Sequence, residues 1–294
     1  MKITEERKGE LIIYIEVFLW SFFPIVTVLT YKTLPALLSL AWGTLFSSLF
    51  FGAILLYRGK WQELWNVQLW KYTLFVAFYI GILFYSLIFT GLTMTTPGNA
   101  AVIGLFEVFT TFLFFNVFRG EHISREHIIG GVCMVLGAGL VLVRNFEGIN
   151  LGDLLILAAV CSAPFGNFYQ QRARKIASSE SIMFLRTILS VPPLFLLAYF
   201  LGVHASFAYV QASIPLLLLN GVVLLGISKI LWIEAIHRIS VTKGILLNSI
   251  GPFLTLLFAW LILNQAPTMW QLGSLPLLIF GVLLLTGQFK FKTR

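Results

Sequence analysis

The 294-residue chain contains 59% apolar residues and only 11% charged residues, whereas soluble domains average about 45–50% and about 25%. Together with a mean hydropathy of +0.92, this excludes a soluble enzyme, a disordered chain and a nucleic-acid-binding protein. The net charge of +8 is therefore interpreted as a signal of membrane orientation.

Ten apolar runs of membrane-spanning length follow one another along the chain. They are continuously apolar rather than alternating, which favours helices over a β-barrel. The sequence therefore predicts an all-α integral membrane protein with ten transmembrane helices. The predicted spans are Leu11–Thr30, Ala36–Tyr57, Tyr72–Leu92, Gly98–Phe118, Ile128–Val143, Leu151–Gln171, Ile182–Gly202, Ile214–Glu234, Thr242–Leu263 and Trp270–Gly287.

The basic residues lie on one side of this topology. Sixteen Lys and Arg residues fall on the side of the two termini, and only Lys32 and Arg144 fall on the other side. Because positively charged loops stay inside the cell, we predict a multi-pass protein of the inner (plasma) membrane. Both of its termini are expected in the cytoplasm.

The chain also contains a weak internal repeat. Gly9-Glu10-Leu11 aligns with Gly152-Asp153-Leu154 at a separation of 143 residues (152 − 9), and Gly137 aligns with Gly281 at a separation of 144 residues (281 − 137). We call this separation of 143 or 144 residues the repeat offset. The predicted units, 1–148 and 149–294, contain five helices each, so they have opposite orientations in the membrane. Inverted repeats are typical of secondary transporters, whose substrate site lies near the midplane between the repeats.

Short motifs recur at matching places in the two units. The first unit contains Leu19-Trp20-Ser21, a short connection at Thr93–Pro97, and Arg119-Gly120-Glu121 before a glycine-rich helix. The second unit contains Ala235-Ile236, Gly251-Pro252, Asn264-Gln265 and Gly281. On these motifs the chain resembles the EamA branch of the drug/metabolite transporter superfamily.

This resemblance implies a ten-helix fold that exports or exchanges small metabolites such as amino acids, driven by a proton or substrate gradient. Two positions depart from the family pattern. The proline present as Pro252 in the second unit is replaced by Val108 in the first, and the loop glutamate present as Glu121 becomes Gln265. The two halves are therefore expected to differ chemically at the core.

Glu107 lies in the middle of the fourth predicted span. A carboxylate at this depth costs several kcal/mol unless it is protonated or faces water or a cation. One interpretation is a proton-coupling carboxyl or an anchor for a substrate ammonium group. The alternative is a protonated side chain that only holds two helices together.

Three further charged residues lie inside the predicted spans. Lys229 and Arg186 are expected about one to one and a half turns from the cytoplasmic ends of their helices, and Glu16 at a similar depth. A network of Glu16 with Arg186 or Lys229 could form a cytoplasmic gate or bind a substrate carboxylate. Long basic side chains can equally extend to the interface and pair there for structural reasons.

Polar and aromatic residues inside the spans support a cavity. Asn167 and Asn248 are candidate substrate-binding residues, although hydrogen bonds between helices explain such residues equally well. Trp20 and Tyr79 are candidate aromatic contacts, with packing as the alternative. The expected cavity is formed by the first, third, fourth, sixth, eighth and ninth helices.

No catalytic, nucleotide-binding or metal-binding motif is found in the sequence, so we expect neither an enzyme nor a cofactor or metal. Cys133 and Cys161 lie in apolar runs and are expected to be buried thiols. The expected partners are a small-molecule substrate, the lipid bilayer and a proton, but no nucleic acid, and the expected state is a monomer or weak homodimer. An uptake permease, or a non-transporting scaffold or sensor, are the alternatives.

Overall fold

The computed structural model of the chain describes residues 4–119, 124–142, 150–239 and 241–289, and every regular element in these ranges is a helix. Eight helices are long and apolar enough to cross a membrane, and two further apolar helices are shorter. In chain order they are α1 Glu5–Thr30, α2 Ala36–Tyr57, α3 Val67–Gly91, α4 Pro97–Asn116, α5 Arg125–Leu142, α6 Leu151–Arg174, α7 Ser179–Phe200, α8 Phe207–Ile236, α9 Gly251–Leu263 and α10 Met269–Leu285.

These helices lie at the ten predicted positions, although several begin or end elsewhere. Helix α1 begins well before the predicted Leu11, because the Thr4 side chain caps it by accepting a hydrogen bond from the Arg7 amide. The ninth predicted span is divided into Val241–Asn248 and α9. Glu121, Arg144 and the predicted unit boundary at 148/149 lie outside the described residues.

We call the end of the bundle where α1 begins the basic end. Contacts between Arg58 and Glu180 and between Arg238 and Glu5 join the helix termini there. In the described connections at the opposite end, only Lys32 is basic. The predicted asymmetry of the loops therefore reappears in the structure as a difference between two ends of the bundle.

The two halves of the chain pack with the same contacts at opposite ends. Gly9 lies against Arg238 at the basic end, where a Cβ atom on Gly9 would be 2.9 Å from the Arg238 Cβ. Gly152 lies against Met94 at the opposite end, where the corresponding distance is 2.8 Å. The repeat offset relates Gly9 to Gly152 and also relates Met94 to Arg238. Equivalent contacts at the two ends are what an inverted repeat requires.

Helices α5 and α10 form a pair with the same symmetry. A Cβ on Gly137 would lie 2.7 Å from Leu278 Cγ, and one on Gly281 would lie 2.7 Å from Met134 Cγ. The two glycines are equivalent in the repeat, and so are their two partners. Small residues thus allow these two helices to approach closely, as is common between membrane helices.

Irregular helix segments also occur at equivalent positions. Wider π-helical turns occupy Ala77–Phe84 in α3 and Leu219–Ile227 in α8. Helix breaks occur at 105–106 in α4 and at 249–250 before α9. The repeat offset relates the two breaks, and a separation close to it relates the two π-helical segments. Such irregularities often mark functional sites.

The expectation of two buried thiols is wrong for Cys161. Cys133 is half-buried, but Cys161 is exposed on the surface of the bundle. Because the surroundings of this surface are apolar in a membrane, an apolar run does not distinguish a core position from one facing lipid.

Candidate functional site

Glu16 and Lys229 form a pair between α1 and α8. The Glu16 side chain is buried, and its Oε1 lies 3.8 Å from the Lys229 Nζ. Ser228 Oγ donates a hydrogen bond of 3.0 Å to the same oxygen. The Lys229 Nζ also lies 3.2 Å from the centre of the Trp20 ring, close enough for a cation–π interaction. The predicted pairing of Glu16 with Lys229 is therefore present.

Glu107 begins the second piece of α4, Glu107–Arg119. The partial positive charge of a helix N-terminus favours a carboxylate at this position. Asn167 of α6 donates a hydrogen bond from Nδ2 to the Glu107 Oε1 at 3.3 Å. The helix break and the amide together provide a polar environment for an acidic side chain inside a predicted span.

Arg186 lies deeper than the sequence predicted. Helix α7 begins at Ser179 and α8 ends at Ile236, so Arg186 and Lys229 are each about two turns from the basic end. Arg186 is only 5% exposed, and it lines a cavity with room for about one water molecule. The cavity is lined by Thr44, Ser47, Gly81, Tyr85, Arg186, Thr187, Ser190 and Leu225.

The hydroxyl groups around this cavity come in equivalent pairs. The repeat offset relates Thr44 and Ser47 of α2 to Thr187 and Ser190 of α7. The cavity therefore lies where the two repeats meet. The position equivalent to Arg186 is Gly43, so the repeats share the hydroxyl groups but only the second one contributes a cation.

The Glu16–Lys229 pair, Glu107 and Arg186 are close enough to interact electrostatically. Lys229 interacts electrostatically with Glu16, Arg186 and Glu107, and Tyr85 interacts with both Arg186 and Glu107. We call Glu16, Glu107, Arg186 and Lys229 the central charges. They come from α1, α4, α7 and α8, so α7, which contains the predicted network residue Arg186, is added to the helices expected around the cavity.

Two predicted site residues are not brought into this network. Tyr79 stacks on Phe165 with ring centres 5.4 Å apart, in an aromatic cluster between α3 and α6. Asn248 is the last residue before the break that precedes α9, and the structure does not join it to the central charges. Trp20 and Asn167 do contact them.

Other residues of the site were missed by sequence reasoning. Ser228 and the Thr and Ser hydroxyl groups of the cavity belong to no familiar motif. One signal was present, however, because Gly43-Thr44-x-x-Ser47 and Arg186-Thr187-x-x-Ser190 align at the repeat offset. A comparison of the two halves for repeated polar residues could have found the cavity.

Polar contacts close the bundle at the opposite end. The buried Asp153 carboxylate of α6 accepts hydrogen bonds from Thr95 and from Asn99 Nδ2, the latter at 3.1 Å. Gln271 Nε2 of α10 donates to Asn99 Oδ1 at 2.6 Å. We call these four residues the opposite-end cluster, and they connect the first repeat to the second.

Ion pairs close the basic end at equivalent positions. Lys243 pairs with Glu10 and, at 2.6 Å, with Glu6. We call these three residues the basic-end cluster. In the repeat, Glu10 is equivalent to Asp153, and Lys243 is equivalent to Asn99. The two clusters are therefore versions of one inter-repeat contact, ionic at the basic end and hydrogen-bonded at the other.

The connection between α2 and α3 caps the first turn of α7. The Glu63 carboxylate accepts hydrogen bonds of 2.7 Å from the Ser178 amide, the Ser178 hydroxyl and the Ser181 hydroxyl. Burial by itself raises the pKa of the Glu63 carboxyl, but these hydrogen bonds and the nearby Lys60 charge outweigh it and lower the pKa below its ordinary value. The ionised carboxylate thus fixes the start of the helix that contains Arg186.

Helices of membrane-spanning length, two inverted units and charged groups between them define a multi-pass membrane protein of the transporter type. The model of the EamA-like transporter family matches residues 7–143 and 150–287. The chain therefore belongs to the EamA-like transporter family. The two matched segments are related by the same repeat offset that the sequence and the packing show.

A solved structure shares the fold. It is described only as "Crystal structure of protein" and has a TM-score of 0.63, with 19% sequence identity over 94% of this chain and 96% of that chain. At this identity the likeness shows the fold alone. No curated protein matches the chain in sequence.

Proposed function

We propose that the protein is a secondary active transporter of small polar or amphipathic solutes, and that the solute binds among the central charges. The observation that supports this most strongly is the position of Glu16, Glu107, Arg186 and Lys229. Both repeats contribute to this group, which lies inside the membrane helices beside their irregular segments. Ionisable groups at such depth are costly, and in transporters they mark the solute and ion pathway.

The two end clusters provide a means of alternating access. Each cluster connects one repeat to the other, and each lies beyond one end of the central charges. Opening the basic-end cluster while the opposite-end cluster stays closed exposes the site to one side of the membrane, and the reverse exposes it to the other. Because the clusters are equivalent in the repeat, the repeats can exchange conformations with little change in the fold.

We propose Glu107 as the proton-coupling residue. Its carboxyl group lies at a helix N-terminus, with an amide donor beside it and the Lys229 ammonium within electrostatic range. Both neighbours move when the repeats move, so the proton affinity of Glu107 changes between the two states. A proton can drive the cycle only when its binding differs between the states in this way.

The proposed direction is efflux or exchange, in the inner membrane, with both termini in the cytoplasm. Excess Lys and Arg at the basic end supports this orientation, since positively charged connections remain inside. The solute class favoured here is amino-acid-like, because the site contains both cationic and acidic side chains. The protein needs no nucleic acid or cofactor for this activity and is proposed to act as a monomer or weak homodimer.

Transport into proteoliposomes with an imposed pH gradient tests this function. The parent protein is expected to accumulate at least one member of a panel of amino acids, nucleobases and cationic drugs. Glu107→Gln is expected to exchange the same solute between equal pools but to lose accumulation driven by the pH gradient. Glu107→Asp, which keeps a carboxyl group, serves as the matched control and should retain part of the coupling.

Three outcomes each contradict one part of the proposal. If no solute is transported, a scaffold or sensor is favoured, because membership of the EamA-like transporter family would then be the remaining support for transport. Full gradient-driven accumulation by Glu107→Gln removes Glu107 from the coupling step while leaving transport intact. Accumulation only in the opposite direction favours an uptake permease.

A further inference from the structure

Arg186 differs from the other central charges because its guanidinium has no hydrogen-bond or ion-pair partner among the described residues. Glu16 pairs with Lys229, and Glu107 accepts a hydrogen bond from Asn167. In the part of the chain that the structure describes, the Arg186 guanidinium makes neither an ion pair nor a hydrogen bond, although the residue is only 5% exposed. A guanidinium remains protonated inside proteins, and an isolated buried charge is strongly unfavourable.

Two further hydrogen-bond donors line the same cavity, the hydroxyl groups of Ser47 and Tyr85. The Ser47 hydroxyl is buried, with the residue 1% exposed, and has no hydrogen-bond partner within the described ranges. The Tyr85 hydroxyl has none in those parts of the chain either. In contrast, the Ser190 hydroxyl already donates to the Arg186 carbonyl oxygen at 2.7 Å. A fixed cation and two free hydroxyl groups therefore converge on one small space.

A carboxylate can pair with the Arg186 guanidinium and accept hydrogen bonds from both hydroxyl groups at the same time. A carboxylate offers two oxygens with about four acceptor positions, and it pairs with the guanidinium in a bidentate geometry. Lys229 lies within electrostatic range of Arg186 but is itself paired with Glu16, so the unbalanced positive charge at this cavity is that of Arg186. A cationic group in this cavity would instead face the unpaired guanidinium.

We propose that the Arg186 cavity binds the carboxylate group of the transported solute. This inference rests on the proposed function and specifies the substrate class as small carboxylic acids, including amino acids. Only the second repeat supplies a cation, because Gly43 replaces Arg186 in the first. The cavity therefore accepts one carboxylate, while Glu107, which also interacts electrostatically with Tyr85, is available to an ammonium group of the same solute.

The small size of the cavity agrees with a carboxylate site if the structure shows the transporter closed at both ends. Room for about one water molecule is too little for a whole solute, and both end clusters are formed in the structure. When one cluster opens, the helices around the cavity separate and admit the carboxylate. Arg186, Ser47 and Tyr85 already line the space that it enters.

Matched acids and amides provide the test. Leucine and phenylalanine are compared with leucinamide and phenylalaninamide, which keep the ammonium group and side chain but lack the carboxylate. Binding is measured by thermal stabilisation of the purified protein, since a ligand of the folded state raises the melting temperature. Transport of each compound is measured in proteoliposomes.

At least one acid is expected to bind and to be transported, at least tenfold better than its amide. Arg186→Gln is expected to weaken binding of that acid by about 10- to 100-fold, the usual cost of losing hydrogen bonds to a charged group. Arg172→Gln is the matched control, because it removes the same charge from an exposed position and should leave binding unchanged. If Arg186→Gln does not fold, Ser47→Ala is expected to weaken binding of the acid about threefold to tenfold.

Equal binding of acids and amides, or unchanged discrimination in the folded Arg186→Gln or Ser47→Ala variant, overturns the carboxylate site. So does transport confined to amides, nucleobases or cationic drugs, and in that case the transporter function still stands. If no compound in either panel is bound or moved, both the carboxylate site and the transport proposal fail.

Discussion

Glu16→Gln is expected to reduce the free energy of unfolding by about 3–5 kcal/mol, the typical cost of removing one partner from a buried ion pair. The substitution keeps the size of the side chain and a hydrogen bond to Ser228, but it leaves the Lys229 ammonium without a carboxylate. The Trp20 ring remains and offsets only part of this loss, since a cation–π contact contributes about 2 kcal/mol when it is desolvated. The shift is measured by unfolding of the purified protein in detergent.

A double variant shows whether the loss of stability comes from the unpaired Lys229 charge or from the changed polarity of the side chain at position 16. Glu16→Gln combined with Lys229→Met removes both charges and is expected to regain most of the lost stability, because no unpaired charge remains. Glu5→Gln serves as a control, since Glu5 pairs with Arg238 at an exposed position and should cost less than about 1 kcal/mol. A loss below about 1 kcal/mol for Glu16→Gln contradicts the assigned pairing.

Removing Asp153 is expected to open the opposite end of the bundle. Asp153→Ala eliminates the charge-assisted hydrogen bonds from Thr95 and Asn99, each worth about 1.5–3 kcal/mol. One such loss shifts a two-state equilibrium by about 10- to 100-fold. The ratio of molecules whose Arg186 cavity is open to that end to molecules in which it is closed should rise by the same factor.

A single cysteine in the cavity reports this shift. Ser47→Cys is introduced after Cys133→Ser and Cys161→Ser, and its labelling by a membrane-impermeant thiol reagent is followed in vesicles of each orientation. Asp153→Ala should accelerate labelling from the opposite end, and the equivalent Lys243→Ala should accelerate it from the basic end. Equal effects of both variants on both sides contradict the role of the clusters as gates.

The helices, their order and the repeat were predictable because a membrane imposes long apolar runs and short connections. Glu16, Glu107, Arg186 and Lys229 were recognisable for the same reason, since a charge is conspicuous within an apolar run. The pairing of Glu16 with Lys229 was one of two combinations that the sequence allowed. Periodicity did not decide between them, because that choice depends on how α1 packs on α8.

The cavity was not predictable in the same way. Arg186 enters the site because α7 packs against α2 and aligns two sets of Thr and Ser hydroxyl groups, and nothing local to α7 indicates its partner helix. Cys161 illustrates the complementary limit. In a membrane protein the exposed surface is as apolar as the core, so an apolar run does not reveal which of its faces is buried.

Alternating access requires that the Arg186 cavity between the repeats opens in turn to the two sides of the membrane. The most direct measurement is labelling of Ser47→Cys by an impermeant reagent from each side, with both end clusters intact. We expect labelling from both sides, and a transported solute should slow it on each. Labelling from one side only, or from neither side under any solute condition, contradicts alternating access.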